Sequence, residues 1–425
     1  MGDHRAPGSG CCDDDVDGMR TVADVRHDVV AQVDPTPSTT VPPVSAAGLV
    51  LAADVVARIP LPRFDNAAMD GYAVHHEDVD GAQHDRPARI PVVASVAAGA
   101  GRGVRLRGGE AARIMTGALL PAGATAVVPH EWTDRGSTVV AVHRSVAPGR
   151  HVRRAGEDLR EGDLAVRAGT VLRSRHLGVL AALGVTDVPV HPAPRVGVVA
   201  TGSELRRPGE PLLDDGIHDS NSVTVAAAVR EAGGVVTVVR TVGDDIGLLT
   251  ATLDALASDV DVVVTTGGVS EGDHDVVRLA LTGRGTMWFG TVAMQPGKPQ
   301  GFGRLKAGGP LVCCLPGNPV AATTSFHVFV RPALLRLRGL APSWPTSVGI
   351  LTEDVRSPAG RTQFVRGARV PGVQQDRDHV VPRGTGSHMV AAMAGSDVLV
   401  VVPAATTLLR AGDEVTLLHL DPDDG

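Results

Sequence analysis

Aromatic side chains make up only 2% of the chain, and there is a single tyrosine, Tyr72. Such scarcity excludes the stacked-aromatic platforms on which single-stranded nucleic acids are held. Lysine is almost missing as well: Lys298 and Lys306 are the only two among 40 Lys and Arg residues. The formal net charge is −7, which argues against a protein that coats nucleic acid. An anionic ligand would have to be held by backbone dipoles and a few placed cations. No apolar run approaches the roughly 18 residues needed to cross a bilayer, and no apolar signal segment is present. Four cysteines occur as two adjacent pairs, Cys11-Cys12 and Cys313-Cys314, neither with metal-ligand spacing. A reduced, cytoplasmic setting is therefore expected. Also missing are a Walker loop, a Gly-x-Gly-x-x-Gly dinucleotide fingerprint and a Gly-x-Ser-x-Gly elbow. Hydride transfer, the common kinases and α/β-hydrolase chemistry move out of the front rank.

What the chain does have is a globular composition, 43% hydrophobic and 20% charged over 425 residues. That length suggests about two to four domains. Residues 1–18 read as a disordered leader, rich in Gly, Asp and Ser around the first Cys pair. A weak helix is expected over Thr21 to Val33, and a second over Val44 to Val56, with Val44, Ala47, Val50 and Leu51 on one face. Asp70-Gly71, just before Tyr72, reads locally as a hairpin entry. From Ile90 to Val171, short β-like runs broken by Gly and Pro suggest barrel or sandwich modules. A helix over Ser174 to Leu183 leads to the proline-rich stretch Pro189 to Pro194, a plausible hinge.

From Arg195 the pattern becomes α/β. Strands are expected at Val196 to Ala200, Val235 to Val239, Val262 to Thr266, Trp288 to Met294 and Leu311 to Leu315. Helices are expected at Ser222 to Ala232, Ile246 to Ala257, Asp275 to Leu281 and Val320 to Leu337. This alternation predicts a doubly wound sheet with right-handed crossovers, flanked by β-rich domains. Beyond Pro342 to Pro345 the chain returns to short β-runs, with one possible helix at His388 to Ala394. Pro382-Arg-Gly-Thr-Gly-Ser-His-Met389 looks like a cloning scar, but it is internal and reads as native.

The stretch Val262 to Asp275 organises the chain. A continuous β-branched run, typical of a buried strand, meets Gly267-Gly268, where the backbone can turn with positive φ and approach a ligand. Val269, Ser270, Glu271, Asp273 and Asp275 follow, where the next helix should begin. Taken alone, this is either an anion-binding corner or an ordinary βα loop. The other loops weigh on the choice. Thr201-Gly202-Ser203-Glu204, Gly243-Asp244-Asp245, Pro296-Gly-Lys-Pro299 and Pro316-Gly317-Asn318-Pro319 also follow expected strands, so all five fall on the carboxyl edge of one sheet, where open α/β folds place ligands. Backbone N–H groups at Gly267-Gly268 and Pro316 to Asn318 suit phosphate, and Lys298 adds a point charge. Glu204, Asp244 and Asp275 would repel an anion unless a divalent cation intervened. Mg²⁺ held by one or two carboxylates plus substrate phosphates fits that set. Helix N-capping stays open as the alternative role of Asp244 and Asp275.

The ordered motifs Phe64-Asp-Asn-Ala-Ala-Met-Asp-Gly-Tyr-Ala-Val74, Arg113-Ile-Met-Thr-Gly117, Gly156-Glu-Asp158, Thr201-Gly-Ser-Glu-Leu205, Asp219-Ser-Asn221, Thr266-Gly-Gly-Val-Ser270, Pro296-Gly-Lys-Pro299 and Leu315-Pro-Gly-Asn-Pro319 resemble those of the molybdopterin molybdenumtransferase (MoeA) family. That family is related to the C-terminal domain of gephyrin. The resemblance covers about Met19 to Leu420. It implies an elongated subunit, usually a homodimer, built from a discontinuous dimerisation domain (residues 19–57 and 150–188), a β-rich domain (58–149), an adenylyltransferase-like α/β molybdopterin-binding domain (189–340) and a C-terminal β-barrel (341–425). The activity implied is insertion of molybdate into adenylylated molybdopterin with Mg²⁺, giving molybdenum cofactor and AMP. The molybdopterin adenylyltransferase is a possible partner; neither nucleic acid nor membrane is expected as one.

The resemblance carries functional roles onto Asp70, Glu204, Asp244 and Asp275 as catalytic residues, the last three as metal ligands. It carries substrate contacts onto Thr116, Gly117, Thr201, Gly202, Ser203, Ser220, Asn221, Gly267, Gly268, Val269, Ser270, Lys298, Pro316, Gly317 and Asn318. Arg361, Arg366 and Ser387 match a polar cluster of the last domain. Asp70 and Thr116 lie far from the sheet in sequence, which fits an active site completed across the dimer. One departure stands out: many relatives carry lysine at the positions of Gln295 and Thr291, and Arg304 is the candidate replacement. Two rival readings are molybdopterin adenylyl transfer and a non-catalytic molybdopterin-binding scaffold. The long N-terminal region opposes the first and the retained charged set opposes the second.

Overall fold

The computed structural model describes residues 18–100, 103–270, 275–370 and 378–421. Residues 1–17 of the expected leader, Cys11 and Cys12 among them, and Glu271 and Asp273 lie outside them. The chain forms two compact units, one comprising residues up to 39, 48–50 and 191 onwards, the other 40–47 and 51–190.

In the first unit the elements run α1 (Val22–Ala31), β1 (Arg195–Thr201), α2 (Asn221–Glu231), β2 (Val235–Val242), α3 (Ile246–Leu256), β3 (Val262–Thr266), α4 (Val276–Leu281), β4 (Trp288–Thr291), β5 (Pro299–Gly303), β6 (Leu311–Leu315), α5 (Pro319–Ser325) and α6 (Arg331–Leu337). The strands form one six-stranded sheet in the order β2-β1-β3-β6-β5-β4. The first four are mutually parallel, β5 is antiparallel to β6, and β4 is antiparallel to β5. Strand β4 therefore points the same way as β6, and its carboxyl end falls on the same edge as theirs.

Both faces of this sheet are covered, and the period of two shows in which core each residue joins. Val262 and Val264 of β3, with Leu311, Cys313 and Leu315 of β6, pack with α1, α2 and the α5–α6 region. The alternate residues Val263, Val312 and Cys314 pack with Leu249 and Leu253 of α3 and Val277 and Leu281 of α4. That two-sided burial is why the strands read as unbroken apolar runs. Burial pushes the Cys314 thiol up to about 12 and raises that of Cys313 further, so neither is a ready nucleophile.

Sequence and structure differ in several places. Residues 19–39 pack into the first unit, where Val22, Val25, Val29 and Val33 complete its core beside Phe326 and Leu334. The strand expected over Trp288 to Met294 breaks after Thr291: the Val292 N–H donates to the Lys298 carbonyl and that of Ala293 to the Arg20 carbonyl. Met294–Gln295 then pairs in parallel with Thr362–Gln363 of the C-terminal sheet. Strand β5 escapes sequence reading because Pro-Gln-Gly-Phe-Gly carries almost none of a strand's usual residues. The single helix expected over Val320 to Leu337 is interrupted by a π-turn at Phe326–Val330.

Within the same unit, Thr362–Val370, His379–Pro382, Thr346–Leu351, Glu414–His419 and Val398–Val402 pair in that order. The last pairs back to the first, closing a barrel.

The second unit is β-rich. Its five-stranded sheet runs Ala126–Pro129, Gly71–Val74, Ala111–Ile114, Ala88–Val96 and Val139–Val142 over a core containing Tyr72, Val74, Ile90 and Val128. The Tyr72 hydroxyl donates to the Gly136 carbonyl at 2.9 Å. The helix expected over Val44 to Val56, residues divided between the two units, is not formed. A 3₁₀ turn at Pro43–Ser45 is followed by Gly48 at φ +77° and short strands at Val50–Leu51 and Val55–Val56. Val44, expected on the buried face, is 84% exposed. Glycine with positive φ and β-branched residues outweigh the apolar spacing.

Candidate functional site

The carboxyl edge of the six-stranded sheet opens into a cavity of about 920 Å³. All five loops singled out in the sequence line it. Strand β3 ends at Thr266, and Gly267 and Gly268 turn with φ of +92° and +62°. The turn is wedged. A Cβ on Gly267 would stand 2.6 Å from the Thr201 carbonyl oxygen, and one on Gly268 would stand 3.0 Å from the Val277 nitrogen. Opposite it, the Pro316-Gly317 corner after β6 comes so near that a Cβ on Gly317 would lie 3.4 Å from the Gly267 Cα. Two glycine corners thus present their backbones side by side, with Val269, Ser270 and Asn318 along the same wall.

Side-chain braces hold these corners together. The Asn221 amide donates to the Gly317 carbonyl at 2.7 Å, linking the start of α2 to the β6 corner. Asp219 is buried. Its carboxylate accepts from the Ser222 N–H at 3.0 Å and from the Thr241 hydroxyl at 3.1 Å. It fixes the entry to α2, so that Ser220 and Asn221 line the cavity. The Asn318 amide donates to the Ser387 hydroxyl at 3.2 Å, bringing a barrel residue to the rim.

The carboxylates resolve the capping question. The cap of α3 is Asp245, which accepts from the Leu248 N–H at 2.8 Å. Asp244 instead accepts from the Ser203 N–H at 3.0 Å, while the Ser203 hydroxyl accepts from the Asp244 N–H at 3.0 Å. Asp275 stands at the start of α4 without a side-chain capping bond. The Glu204 carboxylate folds back over Gly202, where a Cβ would meet Oε2 at 2.4 Å. Glu204, Asp244 and Asp275 all line the cavity. Among the described residues, no three His, Cys, Asp or Glu side chains form a ready-made metal cage. A donor set of separate carboxylates facing two glycine corners would suit Mg²⁺, which takes much of its coordination from water and substrate.

Thr201, Gly202 and Lys298 line the cavity as expected. Arg361 and Arg366 do not line it. Arg366 is fully buried in the barrel, donates from Nη1 to the Met389 carbonyl at 2.8 Å, and is held below the usual guanidinium range by burial. Arg304 does not replace a lysine: its guanidinium donates to the carbonyls of Gly309 and Gln32. Asp70, Thr116 and Gly117 belong to the second unit. There the Thr116 N–H and hydroxyl both donate to Asp70 Oδ1, at 2.7 and 2.8 Å. Those two bonds hold the Asp70 carboxyl below the usual carboxylate range. Asp70 is thus a braced carboxylate; the Gly71 Cα–H faces the Val128 carbonyl, leaving a Cβ only 2.0 Å from that oxygen. The sequence reading missed His218, Thr385 and His388 in the cavity lining. The only signal for the last two was the Gly-Thr-Gly-Ser-His run that resembles a cloning scar.

Comparison with known proteins accounts for most of the chain. Residues 20–184 match the MoeA N-terminal region (domain I and II), and residues 197–336 a probable molybdopterin binding domain. Residues 348–420 match the MoeA C-terminal region (domain IV). The chain is 42% identical over 410 residues to molybdopterin molybdenumtransferase 2 of Mycobacterium tuberculosis, covering 95% of this chain and 100% of the relative. The chain belongs to the MoeA family. The molybdopterin molybdenumtransferase of Nostoc sp. is 32% identical over 412 residues, 95% of this MoeA-family chain and 93% of its own. Among solved structures, the molybdopterin biosynthesis MoeA protein of Pyrococcus horikosii superposes with a TM-score of 0.81 at 32% identity. The match covers 95% of this chain and 99% of that one. No described helix of the MoeA-family chain is long and apolar enough to cross a membrane.

Proposed function

We propose that the protein inserts molybdate into adenylylated molybdopterin, releasing AMP and forming molybdenum cofactor. The observation that carries this reading is the convergence of five loops on one cavity, with two glycine corners, Lys298 and three carboxylates. The N–H groups around Gly267 to Ser270 and Gly317 to Asn318 take the phosphate side of the substrate, and Lys298 adds a charge at the rim. Glu204, Asp244 and Asp275 are the residues that would hold Mg²⁺ together with substrate phosphates, and the cation would supply neutralisation of charge on the departing AMP. Ser203 orients Asp244 through their reciprocal bonds. Asp70, kept ionised by Thr116, is the catalytic carboxylate of the second unit. The protein acts in the cytoplasm as a homodimer and receives its substrate from the molybdopterin adenylyltransferase.

The test is to mix the purified protein with adenylylated molybdopterin, Mg²⁺ and molybdate and to follow AMP. Molybdate-dependent AMP release is expected. Its absence refutes the reading, and ATP consumption with unmodified molybdopterin would mark the preceding adenylyl transfer instead.

A further inference from the structure

Lys298 is the only Lys or Arg among the described residues lining the cavity. Its placement depends on the backbone of the Pro296-Gly-Lys-Pro corner, and one buried residue outside the cavity lining holds that corner. Gln300, in β5, is 3% exposed. Its amide nitrogen donates to the Gly297 carbonyl at 2.7 Å and to the Ser325 hydroxyl at 2.6 Å. An amide nitrogen carries two hydrogens, and both are used. Ser325, at the end of α5, is fully buried and immediately precedes the π-turn. Burying an amide is unfavourable unless its hydrogens are bonded, and a leucine would fill similar space without that demand. The corner is pressed against this brace: Gly297 has φ +101°, and a Cβ there would lie 2.8 Å from the Ser325 hydroxyl and 3.2 Å from the Gln300 nitrogen. On the other side of the corner, the Lys298 carbonyl accepts from the Val292 N–H at 2.8 Å. The peptide that carries Lys298 is thus clamped from both sides. Its mate in the clamp, α5, begins at the Asn318 corner of the same cavity.

We infer that Gln300 is a positioning residue: by tying the Gly297 carbonyl to Ser325 it sets where Lys298 meets the substrate anion, and so contributes to substrate binding without touching substrate. The inference rests on the site reading above. The test is a double-mutant cycle between Gln300→Leu and Lys298→Ala, measuring KM for adenylylated molybdopterin and kcat, with Ser325→Ala as a gentler removal of one arm of the clamp. Cooperative thermal unfolding checks that each variant is folded. KM is expected to rise about tenfold in Gln300→Leu and about threefold in Ser325→Ala, with kcat changed less, and Gln300→Leu should have no further effect once Lys298 is alanine. A role in general stability only would lower the melting temperature and leave KM alone, or add its effect in full to that of Lys298→Ala; either result overturns the inference. If Gln300→Leu does not fold, Ser325→Ala decides in the same cycle. Unchanged KM in Lys298→Ala itself would overturn both this inference and the site reading, whereas a raised KM there with a silent or additive Gln300→Leu overturns this inference alone.

Discussion

Gly267 and Gly283 make a matched pair of perturbations. Both sit at positive φ, +92° and +78°, so alanine at either pays the left-handed strain of about 1–2 kcal/mol. Their surroundings differ. A Cβ on Gly283 meets nothing within 4 Å, whereas on Gly267 it would lie 2.6 Å from the Thr201 carbonyl oxygen and 3.0 Å from the Thr201 hydroxyl. Both are well inside van der Waals contact. Neither atom yields freely: the carbonyl is backbone, and the hydroxyl donates to the Thr266 carbonyl at 3.2 Å. The Gly267 corner must shift by several tenths of an ångström, raising the expected loss to about 2–4 kcal/mol. A shift of that size at an oriented site lowers kcat/KM by about ten- to a hundredfold. Chemical denaturation and AMP-release kinetics on both variants check this. Gly283→Ala should lose only that strain, about 1–2 kcal/mol, and keep its activity; Gly267→Ala should lose more stability and most of its activity. Equal stability losses with equal, retained activities would refute the wedge argument and the placing of substrate at this corner.

Three further predictions follow from the same geometry. Asp275→Asn should reduce turnover at least a hundredfold in a variant that still unfolds cooperatively; an active, folded variant would reject its role with the cation. Asp245→Ala should destabilise by about 1 kcal/mol with activity kept, and Asp244→Ala should do the reverse, since only the first caps a helix. His327 is buried with its pKa pushed down to about 3 by desolvation and by Arg331. Above about pH 6.5 it is neutral in both states and its stabilisation is fully present. As pH falls below that, the unfolded chain binds a proton that the folded one refuses, so stability drops by roughly 1.4 kcal/mol per unit towards pH 3. Denaturation curves should be nearly flat in this contribution above pH 6.5 and approach this slope between pH 6 and 5, and His327→Leu should flatten it.

Much of the α/β half was legible because its strands are buried on both faces. Val262 to Thr266 and Leu311 to Leu315 read as apolar runs without alternation for that reason. The loops at the sheet edge were legible through residue types that a plain turn does not need. What escaped depends on tertiary context. Pro299–Gly303 becomes a strand only because β4 and β6 flank it. The apolar spacing from Val44 onward mimics a helix that Gly48 and the neighbouring strands override. Which of Asp244 and Asp245 would cap a helix is not written in adjacent identical residues; the hydroxyl of Ser203, 41 positions away, decides it. His388 and Thr385 reach the cavity only because the closed barrel folds back to the α/β sheet through Ser387 and Asn318.

The central claim is that the Gly267 to Ser270 and Gly317 to Asn318 corners hold the phosphate side of the substrate. A crystal structure with bound adenylylated molybdopterin tests it most directly. The phosphates should lie within hydrogen-bond distance of those backbone N–H groups, with Lys298 beside them. Phosphates bound away from both glycine corners would contradict it.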